Sequence, residues 1–184
     1  MIEEQLGRCV ASWYPGATGV TGAAKLSGGA SQETWTFDIV HPSGNVGAIL
    51  RRAPLGYGAS PGRAAGLDAE ATLMQLAHDA GLPSPRVMHV LKPEDELGRG
   101  FIMQRIEGET IARKILRDEQ FAKARPILAR QLGRVIARHS RLSPSETAEI
   151  ARDERDEGDR RPRAGIPQLQ LAAAGVRAGA TLAA

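Results

Sequence analysis

Between Glu33 and Val40 apolar and polar residues alternate, Trp35, Phe37 and Ile39 against Thr34, Thr36 and Asp38. That is the period of a strand buried on one face. His41-Pro-Ser-Gly-Asn45 reads as a turn and Val46–Arg52 as a second strand, so the two predict a hairpin. Upstream, residues 3–13 set Leu6, Val10 and Trp13 on one face with Cys9 beside them, the spacing of an amphipathic helix. Downstream, residues 53–63 hold two prolines and three glycines and read as a loop. Residues 64–80 follow as a helix, with Leu67, Ala71, Leu73, Met74 and Ala77 apolar and Gly81 at the stop position.

Pro83-Ser-Pro85 forbids helix and starts an extended run from Arg86 to Leu91. A Gly-containing turn leads into the strand Phe101-Ile-Met-Gln-Arg-Ile106. Two further helices are expected, over 109–117 and 119–141, the second with Phe121, Leu128, Leu132, Val135 and Ile136 inward and Pro126 forcing a kink or a late start. The order helix, strands, helix, strands, helices makes the fold class α+β. After about Ser143 no period persists, and the Arg/Asp/Glu run from Glu149 to Arg163 opens what reads as a low-order tail.

Composition changes little in this picture but removes whole classes. The chain has 184 residues, 42% hydrophobic and 24% charged, an ordinary globular balance. All its aromatics lie at or before Phe121, a second sign that the two ends differ. The net charge of +3 is spread over residues 1–140, because the stretch from Arg141 on has seven arginines against seven acids. With no basic stripe and no interleaved aromatics, nucleic acid is not expected as a partner. The acidic start Met1-Ile2-Glu3-Glu4 is unlike a secretory signal, and no apolar run is long enough to span a bilayer, so a cytoplasmic location and no membrane partner are expected. One cysteine and four histidines without metal-binding spacing predict no bound structural metal; His89 and Lys25 read as structural.

Three stretches could carry chemistry. In Leu26-Ser-Gly-Gly-Ala-Ser-Gln-Glu-Thr-Trp35, small residues would let backbone N–H groups approach a phosphate, the alternative being a plain Gly-Gly hairpin turn. Arg51 at a strand end and Glu70 on the next helix could pair across a cleft and hold phosphate oxygens, or be two solvated charges. The end of Phe101-Ile-Met-Gln-Arg-Ile106 could offer main-chain groups to a flat heterocycle, or be an ordinary buried strand.

Taken together and in this order, the Gly-rich hairpin, Ile-Leu-Arg51, Glu70-Ala-x-Leu, Ala-Gly-Leu-Pro-Ser-Pro-Arg-Val and Phe-Ile-Met-Gln-Arg-Ile-Glu-Gly-Glu-Thr-Ile resemble the aminoglycoside phosphotransferase-like family of small-molecule kinases. The nearest branch by these motifs is the one related to the kinase-like domain of certain acyl-CoA dehydrogenase fusions. The resemblance covers residues 5–140. It implies a protein-kinase-like N-lobe, a five-stranded antiparallel sheet with one helix, over 1–108, a helical segment over 109–141 leading toward a C-lobe, and a tail over 142–184. It also implies ATP as cofactor. Ser27, Gly28, Gly29, Ala30 and Ser31 would cover its phosphates, and Arg51 would contact the α and β phosphates with Glu70 orienting it. Gln104 and Ile106 would meet the adenine through their main chain, with Met103 at the back of the pocket.

Intact relatives add a His-Gly-Asp loop with an Asn five residues on, then an Asp-Trp-like motif, to take the hydroxyl proton and hold Mg²⁺. No His-Gly-Asp occurs in this sequence, so no catalytic residue and no metal ligand is assigned. The relatives' Ala-Arg-Ile-His-Ala-Leu stands here as Ala137-Arg-His-Ser-Arg-Leu142. From about His139 the text reads like an out-of-frame translation, and a truncated family member is expected. It would bind nucleotide without turnover and self-associate through the 119–141 helix, or act as a non-catalytic nucleotide- or protein-binding module.

Overall fold

The computed structural model describes residues 1–27, 32–54 and 66–140. Gly28, Gly29, Ala30 and Ser31, most of the loop expected over 53–63, and the 142–184 tail lie outside them. Helix α1 spans Ile2–Trp13; strands β1 Gly19–Lys25, β2 Glu33–Val40 and β3 Val46–Arg52 follow, then α2 Leu67–Asp79, β4 Val87–Val90 and β5 Gly100–Gln104. Helices α3 Ala112–Arg117 and α4 Arg125–His139 close the described chain, with short 3-10 turns at Pro93–Asp95 and Glu119–Phe121. The strands form one sheet in the order β1-β2-β3-β5-β4, every neighbouring pair antiparallel. This is the α+β architecture of a kinase-like N-lobe.

Register sorts the side chains. Phe37 lies opposite Ala48, Trp35 opposite Leu50, and Leu50 opposite Ile102, so these residues share a face. Leu6, Cys9 and Val10 of α1 cover that face and close the main core with Phe37, Ile39, Ala48, Leu50, Leu97 and Ile102. The opposite face carries Ile49, Arg51, Phe101 and Met103, paired across β3 and β5. Here Leu67 and Ala71 of α2 close a second cluster around Phe101. Consecutive residues of a strand point to opposite faces, so Arg51 and Arg52 are sent to different sides of the sheet.

Arg52 goes to the α1 side, where it is buried. Its Nε donates to Glu33 Oε2 at 2.9 Å and its Nη1 to the Leu97 carbonyl at 3.3 Å. Glu33 also accepts from Lys25 Nζ at 2.6 Å. Lys25 first, and then Arg52 and Trp35, outweigh the cost of burial and hold the Glu33 carboxyl down at about 2, from an ordinary 4.5. A folded-state pKa below the unfolded one adds stability that is present above pH 4.5 and is lost as pH falls through about 2. Denaturant midpoints measured from pH 5 to pH 2 should fall for the wild type. Glu33→Gln should flatten that fall and cost about 2 kcal/mol at pH 7, a figure reduced for the exposed lysine partner. Parallel pH curves would sink this assignment.

Two helices differ in extent from their expected ranges. Over 119–141 the late start expected from Pro126 is found: a 3-10 turn is followed by α4 from Arg125, because Pro126 lacks an N–H and is tolerated only in a first turn. Of the residues expected inward, Phe121, Leu128 and Val135 are half-buried, while Leu132 and Ile136 are 53% and 65% exposed, as self-association through this helix would require. The helix expected over 64–80 is α2, Leu67–Asp79, entered from an extended Gly66. Among the described residues no helix is long and apolar enough to cross a membrane.

Candidate functional site

Arg51 stands at the end of β3 on the α2 side, and α2 begins directly above it. The antiparallel pairing of β3 with β5 fixes the height of Arg51 opposite Phe101. Phe101 in turn packs on Leu67 and Ala71, one turn of α2. Glu70 lies on that same turn. Its Oε1 is 3.1 Å and its Oε2 3.3 Å from Arg51 Nη2. Of the two readings the sequence offered, a pair or two solvated charges, the pair is made, and each side chain remains about 30% exposed.

A third member was missed in the sequence. Gln32 Oε1 accepts a hydrogen bond from the same Arg51 Nη2. Gln32 ends the Gly-Gly-Ala-Ser-Gln stretch of the sequence, and only its position just before β2, which pairs with β3, brings it to Arg51. With Glu70 and Gln32 gripping one end of the guanidinium, its Nε is buried and has no hydrogen-bond partner among the described residues. A buried N–H of a charged group without an acceptor is costly, and an anionic oxygen is the acceptor that suits it. The residues present therefore fit a phosphate.

Met103 sits opposite Ile49 on the same face as Arg51, partly buried beside Phe101. Gln104 ends β5 and is exposed; its N–H donates to the Arg86 carbonyl at 2.9 Å. The Arg105 N–H donates to the Gly47 carbonyl at 3.0 Å. Ile106, 59% exposed, lies just past this last bond to the sheet. Ser27 follows β1 and is exposed, while Gly28, Gly29, Ala30 and Ser31 fall outside the described residues.

Arg105 is a second residue that sequence reasoning passed over. Its guanidinium lies on β2, with Nη1 2.9 Å from Asp38 Oδ1 and 3.3 Å from Thr36 Oγ1, while Nε lies 2.7 Å from Glu107. It crosses β3 where Gly47 has no side chain; a Cβ there would come within 2.8 Å of Arg105 Cζ. Glu107 first, and Asp38 with it, raise the pKa of Arg105 and keep it charged. The segment leaving the sheet is thus tied down beside Met103 and Gln104. Gly47 inside a strand was the available signal, since such a glycine often marks a close approach.

Residues 22–183 match the model of the phosphotransferase enzyme family. The match starts within β1 and runs on past residue 140, farther than the motifs on which the resemblance rests. No curated protein and no solved structure matches the chain.

Proposed function

Because the chain belongs to the phosphotransferase enzyme family, we propose that residues 1–140 form the nucleotide side of a small-molecule kinase. The observation that carries this reading is Arg51, held by Glu70 and Gln32 with its buried Nε left without an acceptor. Arg51 would contact the α and β phosphates of ATP, and Glu70 would keep the guanidinium from turning away. Ser27 through Ser31 would close over the phosphates, and Met103, the Gln104 carbonyl and Ile106 would line the adenine end. An arginine at 51 in place of the lysine common among relatives supports the acyl-CoA dehydrogenase-associated branch.

Bound ATP would supply the γ-phosphoryl group for transfer to a hydroxyl of a small molecule. The chain's own residues described here bind and orient; none of them is placed to take the hydroxyl proton. The 184 residues contain no His-Gly-Asp, so the expected behaviour of these residues is nucleotide binding without turnover.

Titration calorimetry with ATP tests this. The wild type should bind saturably, and Arg51→Ala should lose about tenfold to a hundredfold in affinity, the worth of a charge-assisted contact. Glu70→Gln should lose less, because it removes orientation and not the cation. Equal affinities in wild type and Arg51→Ala would remove Arg51 from the site, and no binding by the wild type would end the reading. The exposed Leu116, Leu132 and Ile136 support a second reading, an interaction module that self-associates through 119–141. Sedimentation showing a monomer at all concentrations would reject it.

A further inference from the structure

On the opposite face of the sheet from Arg51, three side chains from three elements converge: Cys9 of α1, His89 of β4 and Asp95 of the 3-10 turn Pro93–Asp95. One ligand atom from each, a sulfur, a ring nitrogen and a carboxylate oxygen, lie within 4.8 Å of one another. Cys9 is 3% exposed, and the side chains of His89 and Asp95 are 11% and 4% exposed.

His89 reaches this place through an irregularity. In the pairing of β4 with β5, Val87 lies opposite Met103 but His89 lies opposite Ile102, with a register shift between them. In a regular strand Val87 and His89 would share the α2 face. The shift turns His89 to the α1 face, under Cys9. Bulges that re-aim a side chain recur beside functional groups. Around the cluster stand the partners that metal ligands use. Asp95 Oδ2 accepts from the Lys92 N–H at 2.7 Å and sits 2.8 Å from His89 Nε2. The Trp13 ring stacks on His89, centroids 5.0 Å apart. Its Nε1 is buried with no hydrogen-bond partner among the described residues and lies toward Cys9, whose thiol is pushed up to about 12 by burial first, against the Trp13 N–H. An N–H directed at a ligating atom is a common outer-layer support of a metal site.

We propose that Cys9, His89 and Asp95 bind a thiophilic divalent transition-metal ion, Zn²⁺ by the donor set, which clamps α1 to the β4–β5 edge of the sheet. A soft thiolate, an imidazole and a carboxylate together suit zinc and disfavour magnesium or calcium. Zinc bonds of about 2.0–2.3 Å set tetrahedral ligand atoms roughly 3.3–3.7 Å apart, so the Cys9 sulfur draws in while His89 Nε2 and Asp95 Oδ2, now 2.8 Å apart, open to admit the ion, and a water completes the tetrahedron. As the ion enters, the Cys9 thiol proton leaves to solvent and the proton between His89 Nε2 and Asp95 Oδ2 gives way to the metal, the neutral imidazole keeping its proton on Nδ1. This site is independent of the nucleotide reading.

The test is a Co²⁺ titration of the chelator-stripped full chain, followed by Zn²⁺. Cys9 is the only cysteine, so a thiolate-to-cobalt charge-transfer absorption in the near ultraviolet can come from no other residue. The wild type should develop that band, Zn²⁺ should bleach it, and Zn²⁺ should raise the melting temperature. His89→Gln, which keeps the thiol, should weaken Co²⁺ binding by roughly tenfold or more. Absence of the band in the wild type at millimolar Co²⁺ overturns the proposal, and so does undiminished affinity in His89→Gln.

Discussion

Replacing Phe37 by Ala is expected to cost about 4 kcal/mol of folding stability. Phe37 is fully buried in the middle of β2, opposite Ala48, with Leu6 and Val10 of α1 in the same core. A small residue stands opposite, so Phe37 supplies most of the volume at that level, and its removal leaves a cavity that strands paired on both sides cannot close. Domains of this size have only about 5–15 kcal/mol in all, so a third or more would be lost. Urea denaturation should show a lower midpoint at unchanged slope. Ile136→Ala, at a residue 65% exposed, should move the midpoint by no more than about 0.5 kcal/mol. Similar effects at both positions would mean that the core is not where register places it.

Gly100→Ala is expected to cost about 3 kcal/mol or more, although it adds one methyl group. A Cβ at Gly100 would clash with the Arg51 carbonyl oxygen and lie 2.8 Å from Arg52 Cα. These are backbone atoms and cannot rotate aside. The Gly100 carbonyl also accepts from the Leu91 N–H at 2.9 Å, so the strand is held from its other side as well. Relief requires β3 to move off β5 at Arg51, which would carry the guanidinium away from Glu70. ATP affinity should therefore fall along with stability. Gly7→Ala provides the contrast. Gly7 is inside α1 with nothing within 4 Å of a Cβ, so the same change should stabilise by about 0.5–1 kcal/mol. Denaturation curves of the two variants should move in opposite directions.

Much of the fold was legible because its signals are local. The alternation of Trp35, Phe37 and Ile39 gives β2 with its observed ends, and Val46–Arg52 is β3 as expected. The proline pair before Arg86 and the spacing of Leu6, Val10 and Trp13 likewise place β4 and α1. At α4 periodicity matched the half-buried Leu128 and Val135 and missed the exposed Leu132 and Ile136, because it shows that a face is apolar and not that anything covers it. At the site, Arg51 and Glu70 were named on their positions in motifs, and both are found paired. Gln32 and Arg105 were not named, since their roles depend on which strands become neighbours.

By itself the sequence determined the order and type of the elements, the alternation that gives each strand a buried side, and the motifs that point to a phosphotransferase. These depend on dihedral preference and on residues a few positions apart, so a single chain read in order contains them. Only the tertiary structure decided that Arg51 and Arg52 serve opposite faces, one toward Glu70 and the other toward Glu33. It also decided that Gly100 admits no side chain, and that Cys9 meets His89 and Asp95 some 80 residues away in the chain. Each of these follows from strand register, and a shift of one residue moves a side chain to the other face.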